Sequence, residues 1–539
     1  MLNQVAGQWS VLALDYEFGA VIEPKAGARR AHPDRPLARL YRFSHCTHFD
    51  RADADAWVQA QLGALPEAAR SCGVGDLRAD CSADDYAQSV QRIRDWISAG
   101  DCYQVNYTFP LDFTWWGHPL ALYAALRQRQ PVRHGGLLFT PEETVVSLSP
   151  ELFLARHGER LLTRPMKGTA PRASDPEALR HSAKDRAENL MIVDLLRNDL
   201  GRVAETGSVQ VDALFEIEEY PTVWQMVSQV SAQVGQRDTA ALLSALFPCG
   251  SVTGAPKIRA MQIIGELENR ARGLYTGAFG LIQPNGDFSL NVPIRTLELT
   301  ADGSGRMGIG SGIVADSEAA SEWAECSLKA AFLTELDPGI KLIETLRHEG
   351  GQVLRLDRHL ARLAASAAWL GFPCDQATIR QQLAALPAAG PQRLRLTLDK
   401  QGIVEMQAFP LSPEPRGPRY ARWADERIDS RHPLRRHKTT YRAPYDRAMQ
   451  ALAATPEIFD TVFLNERGEV VEGSRSNVFV ERDGVLLTPP LSSGALPGVL
   501  RAELLEEGRA REAVLWPEDL QNGCWMGNAL RGLVWVGVV

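Results

Sequence analysis

Lysine is scarce in this chain: 8 of 539 residues, against 50 arginines. Surface positive charge therefore rests on arginine, and each lysine merits inspection. Cysteine is scarce too. The 8 are scattered and none forms a C-x-x-C pair, which excludes a zinc knuckle or a dithiol redox motif. They are too sparse for a disulfide scaffold, so reduced thiols are expected. No run approaches the roughly 20 apolar residues of a membrane span; Gly532 to Val539 is only strand-sized. Met1 to Tyr16 has no basic n-region and no cleavage pattern, so no signal peptide and a cytoplasmic, membrane-free protein are expected. There is no excess of positive charge. The net charge of -8 argues against sequence-independent nucleic-acid binding, which needs a positive surface.

What remains is ordinary globular material, 45% hydrophobic and 23% charged. At roughly 150 residues per domain, the length suggests three to four units. Phe18 to Pro36 holds Gly, Pro and Arg and reads as a loop. Helical spacing predicts helices over Asp84–Ala99, Asp185–Leu200 and Ser317–Leu333, the last with Ser317 as N-cap. Strand-like runs cover Gly277–Ile282, Leu290–Leu299 and Arg306–Val314. Asp337-Pro338-Gly339 is a breaker cluster suited to a domain junction. Beyond it come a strand from Ile340, a helix over Leu356–Leu370, a hairpin over 393–408 and strands at 460–464, 470–471 and 477–480. Pro410 to Pro418, four prolines in nine residues, reads as a stiff connector. The division is 1–335 and 340–539, the latter with lobes of about 340–409 and 419–539.

Four features of the first part suggest chemistry. Lys167, in Arg164-Pro-Met-Lys-Gly-Thr169, is a candidate nucleophile if burial or a nearby cation lowers its pKa. For a lone lysine, a surface loop is the commoner explanation. Asp185 and Glu188, and likewise Glu322 and Glu325, are three apart and share a helix face. Two such faces meeting would gather hard oxygens suited to magnesium; from spacing alone, two solvated faces, with Glu325 paired to Lys329, are the better explanation. Gly250-Ser-Val-Thr-Gly-Ala-Pro-Lys257 resembles an anion-binding turn but lacks a Walker ending. Gly308-Ile-Gly-Ser-Gly312 alternates glycine along a strand, clearing one face for a ligand.

Together these motifs resemble the chorismate-utilising enzymes, with the aminodeoxychorismate synthase component I branch nearest. The resemblance covers about residues 85–335. It is carried by Ser98-Ala-Gly-Asp-Cys-Tyr-Gln-Val-Asn106, Ser147-Leu-Ser-Pro-Glu151, the Lys167 run, Ser182 to Asp199, Phe247 to Lys257 and Gly312 to Ser317. It implies magnesium held by Glu188 and Glu325, with Asp185 and Glu322 in support. It implies a chorismate site formed by Gly168, Thr169, Thr253, Lys257, Tyr275, Arg295, Gly310, Ser311 and Gly312. Lys167 would attack the ring at C2 as the C4 hydroxyl leaves, with Glu151 protonating that hydroxyl. Ammonia would then attack C4 and expel the lysine. Anthranilate synthases carry a small residue at the Lys167 position. This chain also departs from the family pattern at Met166, Cys249 and Gln225, the last a histidine in some relatives. None of the cysteines sits in the Gly-x-Cys-x-Gly elbow of a class I glutaminase. Ammonia is therefore expected from a separate glutamine amidotransferase subunit, or from solution at high concentration.

In the second part, Lys438 lies in Arg435-Arg-His-Lys-Thr-Thr440, where neighbouring arginines can depress its pKa. A basic surface loop is the plainer explanation of that run alone. Glu472-Gly-Ser-Arg-Ser-Asn477, Pro497-Gly-Val-Leu-Arg501 and His359-Leu-Ala-Arg-Leu363 join it in resembling the fold-type IV pyridoxal-phosphate enzymes. That resemblance implies Lys438 as the cofactor lysine and Glu472 as partner of the pyridinium nitrogen. It places the phosphate on Arg362 and the N–H groups of Val499 and Leu500, with Asn528 toward the substrate. The fold class implied overall is α+β: a chorismate-binding fold of two β-sheet layers with peripheral helices, then a two-lobed fold-type IV domain. Adjacency to a synthase points to an aminodeoxychorismate lyase, giving a two-step route to 4-aminobenzoate for folate synthesis. An aminotransferase, or a non-catalytic partner-binding module, is the alternative. A homodimer through the second domain is left open.

Overall fold

The computed structural model describes residues 7–27, 35–220, 223–387, 390–413 and 417–539. The chain divides into two compact units, Met1–Gly73 with Leu77–Leu336, and Val74–Asp76 with Asp337–Val539. Both mix helix and sheet, as the α+β reading expects.

In the first unit one sheet runs, in spatial order, Gln210–Glu219, Val223–Gln233, Arg160–Arg164, Leu152–His157, Phe288–Asn291, Ala278–Ile282, Trp9–Leu14 and Ala38–Phe43. Met166–Pro171 pairs with Val223–Gln233 beside that path. Helix Ala183–Gly201 opens on Ser182, whose hydroxyl accepts the Asp185 N–H at 3.3 Å. It sinks Val193 and Leu200 into a core with Leu12, Phe153, Leu161, Val230, Leu242 and Phe288. Each such side chain contributes about 1.5–3 kcal/mol on burial. A second sheet is centred on the long antiparallel pair Gln104–Trp116 and Ser304–Ile313, continuing through Thr296–Leu299, Thr144–Ser147 and Gly136–Phe139.

Three local expectations change. Leu290–Leu299 is not one strand: Phe288–Asn291 belongs to the first sheet and Thr296–Leu299 to the second. Pro293 has no N–H for a ladder, and Arg295 takes a left-handed φ of 50°, which turns the chain. Ser317 does not cap the helix, which runs Ala319–Thr334 from Glu318. Its hydroxyl accepts from Val314 N–H and donates to Glu322 instead. The loop at 18–36 contains a short helix, Phe18–Ile22, while 28–34 lie outside the described residues.

In the second unit a four-stranded antiparallel sheet is ordered Gln352–Val353, Leu342–Glu349, Gln392–Leu398, Val404–Pro410. Helix Leu356–Leu370 packs on it and stops at Gly371, left-handed at φ 65°. An eight-stranded mixed sheet runs from Val470–Gly473 through Ile458–Leu464, Tyr420–Trp423, Gly532–Val538, Cys524–Asn528, Asn477–Arg482 and Val485–Thr488 to Ala510–Glu512. Phe459, Val462, Val478, Met526 and Val536 fill its core. Of the expected connector at 410–418, residues 414–416 lie outside the described residues. No helix among the described residues is long and apolar enough to cross a membrane, and all eight cysteines are free thiols.

Candidate active sites

In the first unit the strand Met166–Pro171 presents Lys167, half-buried, among charges contributed by distant segments. Burial lowers its pKa, and the Lys329 ammonium lowers it further. Glu151, Glu188 and Glu325 oppose the shift. Glu151 is 5% exposed and accepts the Ser251 hydroxyl at 2.6 Å. Burial pushes its carboxyl up against the pull of Ser251, Lys167 and Lys329, the direction a proton-donating acid needs. Gly168, at φ 91°, takes a backbone conformation that favours glycine. A Cβ there would also lie 3.0 Å from Cβ of Asp185 and 3.1 Å from its Oδ1. Gln225 braces the same turn: its amide donates to Gly168 O at 2.8 Å and its carbonyl accepts the Thr169 hydroxyl at 2.9 Å.

The glycines of the strand Ser304–Ile313 leave room for the chain's own neighbouring atoms. A Cβ at Gly308 would lie 2.2 Å from the Tyr275 ring, and one at Gly310 2.3 Å from Tyr107 O. Ser311 faces away and pairs with the Tyr86 hydroxyl at 2.7 Å. Arg295 is half-buried, and burial lowers its pKa, with the Tyr220 phenol opposing the shift. Such a cation suits an incoming carboxylate. Lys257 is committed elsewhere, donating to Asp199 at 2.6 Å and Leu246 O at 3.1 Å. Thr253 is fully buried and donates to Cys249 O.

The four acids divide. Glu325 pairs with Lys329 at 2.7 Å; burial raises its carboxyl, but Lys329, joined by Lys167 and Lys184, outweighs burial and holds it below the usual range. Glu188 is raised by burial and by the crowding of Asp185 and Asp316, against the pull of Lys167 and Lys184. Glu322 accepts the Ser317 hydroxyl. Among the described residues no three His, Cys, Asp or Glu side chains converge as a ready-made metal cage. The donor chemistry still fits magnesium, which is typically held by one or two carboxylates plus substrate and water. A cation would also relieve the crowding at Glu188.

In the second unit a cavity of about 260 Å³ is lined by Lys438, Arg362, Glu472, Asn477, Val499 and Asn528, among others. Lys438 is brought down to about 7 by burial, by Arg442 and by Arg362. Arg362 forks onto buried Glu344 at 2.8 and 2.7 Å, and His359 adds a 2.6 Å contact to the same carboxylate. The Arg362 guanidinium and the hydrogen bonds from His359 and Arg362 outweigh burial and hold Glu344 at about 2. Glu472 accepts the Tyr445 hydroxyl at 2.7 Å and the Leu496 N–H at 3.0 Å, while burial raises its pKa. The helix Val499–Glu506 begins at Gly498 with no side-chain cap, so its first N–H groups lack a partner within the helix. Asn528 spends its amide locally, donating to Arg475 O and accepting from Leu530 and Arg531 N–H. A buried acid, a neutralisable amine and a free helix N-terminus around one cavity fit pyridoxal phosphate.

Sequence reading missed several supports. Ser251 was inside a motif but received no role. Glu344 and the wholly buried Asp460 carried no motif signal. Asp460 accepts from Ser474 N–H and hydroxyl, Arg475 N–H and the Ser476 hydroxyl, fixing the loop that lines the cavity.

Residues 2–335 match the model of the chorismate binding enzyme family. The chain belongs to that family. Residues 341–538 match amino-transferase class IV. The first match begins at residue 2, well before the 85 reached from motifs. Aminodeoxychorismate synthase component 1 of Klebsiella aerogenes is 42% identical over 278 residues, covering 50% of this chain and 61% of that protein. The chain thus spans about three fifths of that relative's length. The crystal structure of anthranilate synthase component I from Streptococcus pneumoniae is 26% identical, with TM-score 0.52 over 60% of this chain and 80% of that one. A Mesorhizobium loti structure provisionally named an amino-acid aminotransferase is 43% identical over 37% of this chain and all of its own, with TM-score 0.35.

Proposed function

We propose that the first unit converts chorismate to 4-amino-4-deoxychorismate and that the second eliminates pyruvate from it to give 4-aminobenzoate. The observation that carries the first step is Lys167, a half-buried amine with a lowered pKa beside the raised acid Glu151. In this reading Lys167 attacks C2 while Glu151 protonates the departing C4 hydroxyl, which leaves as water. Ammonia from a separate glutamine amidotransferase subunit then attacks C4 and expels the lysine. Glu188 and Glu325 hold magnesium, with Asp185 and Glu322 behind them. The ion supplies positive charge for the ring carboxylate. Arg295, Tyr275 and the Gly310–Gly312 backbone receive the enolpyruvyl carboxylate, with Gly168 and Thr169 lining the same site.

In the second unit, pyridoxal phosphate, when bound, supplies an electron sink. Lys438 is the residue that carries it and afterwards moves the C4 proton. Glu472 would partner the ring nitrogen, and Arg362 with the N–H groups of Val499 and Leu500 would hold the phosphate. The lining supports a polyanionic occupant: seven arginines and Lys438 surround the cavity, against only Asp446 and Glu472. A cofactor phosphate plus a substrate with two carboxylates answers that charge.

The test is Lys438→Ala in the full chain, given chorismate, ammonia, magnesium and pyridoxal phosphate. Pyruvate release should stop while aminodeoxychorismate accumulates. A wild-type chain that transfers the amine to a keto acid and releases no pyruvate would establish the aminotransferase alternative.

A further inference from the structure

The two carboxyl oxygens of Glu151 are not equivalent. Oε1 accepts the Ser251 hydroxyl at 2.6 Å, while Oε2 takes no hydrogen bond among the described residues. Ser251 lies in the short 3-10 turn Gly250–Val252 and is buried. Its backbone is held by Asn106, whose Nδ2 donates to Ser251 O at 3.1 Å. A hydroxyl has one proton to give, and here it goes to Glu151. The buried Cys249 thiol, 3.1 Å from Ser251 Oγ, is then the donor in that second contact. Burial pushes this thiol up to about 12, so it keeps its proton. Cys249, Ser251 and Glu151 thus form a hydrogen-bonded row with one direction, ending on Oε1.

We infer that Ser251 is a positioning residue for the amination step: it keeps Oε1 of Glu151 as an acceptor and so leaves the acid proton on Oε2. The inference rests on the synthase reading above. A protonated carboxyl has one O–H and one carbonyl oxygen, and donation to Oε1 selects the form with the proton on Oε2. That proton passes to the C4 oxygen as the C4–O bond breaks. The oxygen keeps the bonding pair and leaves as water, and Glu151 is left as a carboxylate. The Ser251 bond is then charge-assisted, roughly twice as strong as its neutral form. A contact that strengthens along the step lowers the barrier and leaves substrate binding unchanged.

The test combines Ser251→Ala, which removes the hydroxyl, with Glu151→Gln, which removes the acid. Ammonia-dependent synthase kinetics are measured in the full chain, with magnesium, at varied chorismate, for each variant and for the pair together. Ser251→Ala should lower kcat by about tenfold with KM within about threefold. In the Glu151→Gln background the same substitution should change kcat by less than about twofold, because Ser251 acts through the acid. Equal losses in both backgrounds would overturn the role and make Ser251 a packing residue. A rise in KM at preserved kcat would overturn it in favour of a substrate contact, and unchanged kinetics would overturn it outright. Should Ser251→Ala fail to fold, Ser251→Cys carries the same comparison, since it keeps the shape and weakens the donor. Its loss in kcat should again require Glu151, and a loss independent of Glu151 would overturn the role. A wild-type chain that makes no aminodeoxychorismate overturns the synthase reading and this role together, whereas the other contrary results leave the synthase reading standing.

Discussion

Lys438 owes its chemistry to its neighbours. Burial, Arg442 and Arg362 take its amine from 10.5 to about 7, so it is an ammonium below that pH and a nucleophile above it. Uptake of pyridoxal phosphate by cofactor-free protein, read as a borohydride-trapped adduct, should rise as pH passes upward through about 7. A flat profile between pH 6 and pH 8 would contradict the assignment. The linkage has the same sign: the unfolded lysine keeps its proton to about 10.4, so between these values the unfolded chain binds more protons and this group's contribution to stability grows with pH. For Lys167 the expected outcome is simpler. Lys167→Ala should abolish ammonia-dependent aminodeoxychorismate formation and spare pyruvate release from supplied aminodeoxychorismate. A mutant near wild-type rate refutes the covalent step. Scarcity made both lysines legible in the sequence. Glu151 was legible only through the family resemblance, and Lys329 beside Lys167 and Glu344 beside Lys438 not at all, because they reach the lysines only through the fold.

The glycine strand Ser304–Ile313 is the element on which the first site leans. Gly308→Ala puts a methyl group 2.2 Å from the Tyr275 ring, so Tyr275 must move. Synthase kcat/KM should fall by about tenfold or more, one misplaced binding contact being worth that much, with lyase activity kept. In the second unit the Ser474–Ser476 loop depends on Asp460. Asp460→Asn turns an acceptor of several N–H and O–H groups into a part-donor, costing about 1.5–3 kcal/mol of loop order. Its mark should be a weaker apparent Kd for pyridoxal phosphate, measured by cofactor titration; unchanged affinity would remove Asp460 from the site. Amphipathic helices such as Leu356–Leu370 were readable because periodicity and a terminal glycine agree. Leu290–Leu299 misled because its strand-like interleaving of apolar and polar residues runs on across a break. Only Pro293 hinted that the run passes from one sheet to the other.

At the scale of the molecule, the two units carry separable chemistry in this account. Glu325→Gln removes one anionic magnesium ligand while keeping shape. Amination of chorismate should collapse, and pyruvate release from supplied aminodeoxychorismate should persist. Equal loss of both would point to misfolding and leave magnesium unassigned. The break at Asp337-Pro338-Gly339 was readable from composition, and two compact units meet in sequence there. The pairing of a synthase with a lyase came from adjacency, which no single residue encodes. The measurement that bears most directly on it is product analysis after chorismate, ammonia and magnesium are incubated with the full chain, with and without pyridoxal phosphate. The account predicts 4-aminobenzoate and equimolar pyruvate with the cofactor, and aminodeoxychorismate without it. Anthranilate as the product, or aminodeoxychorismate that persists at saturating cofactor, would contradict it.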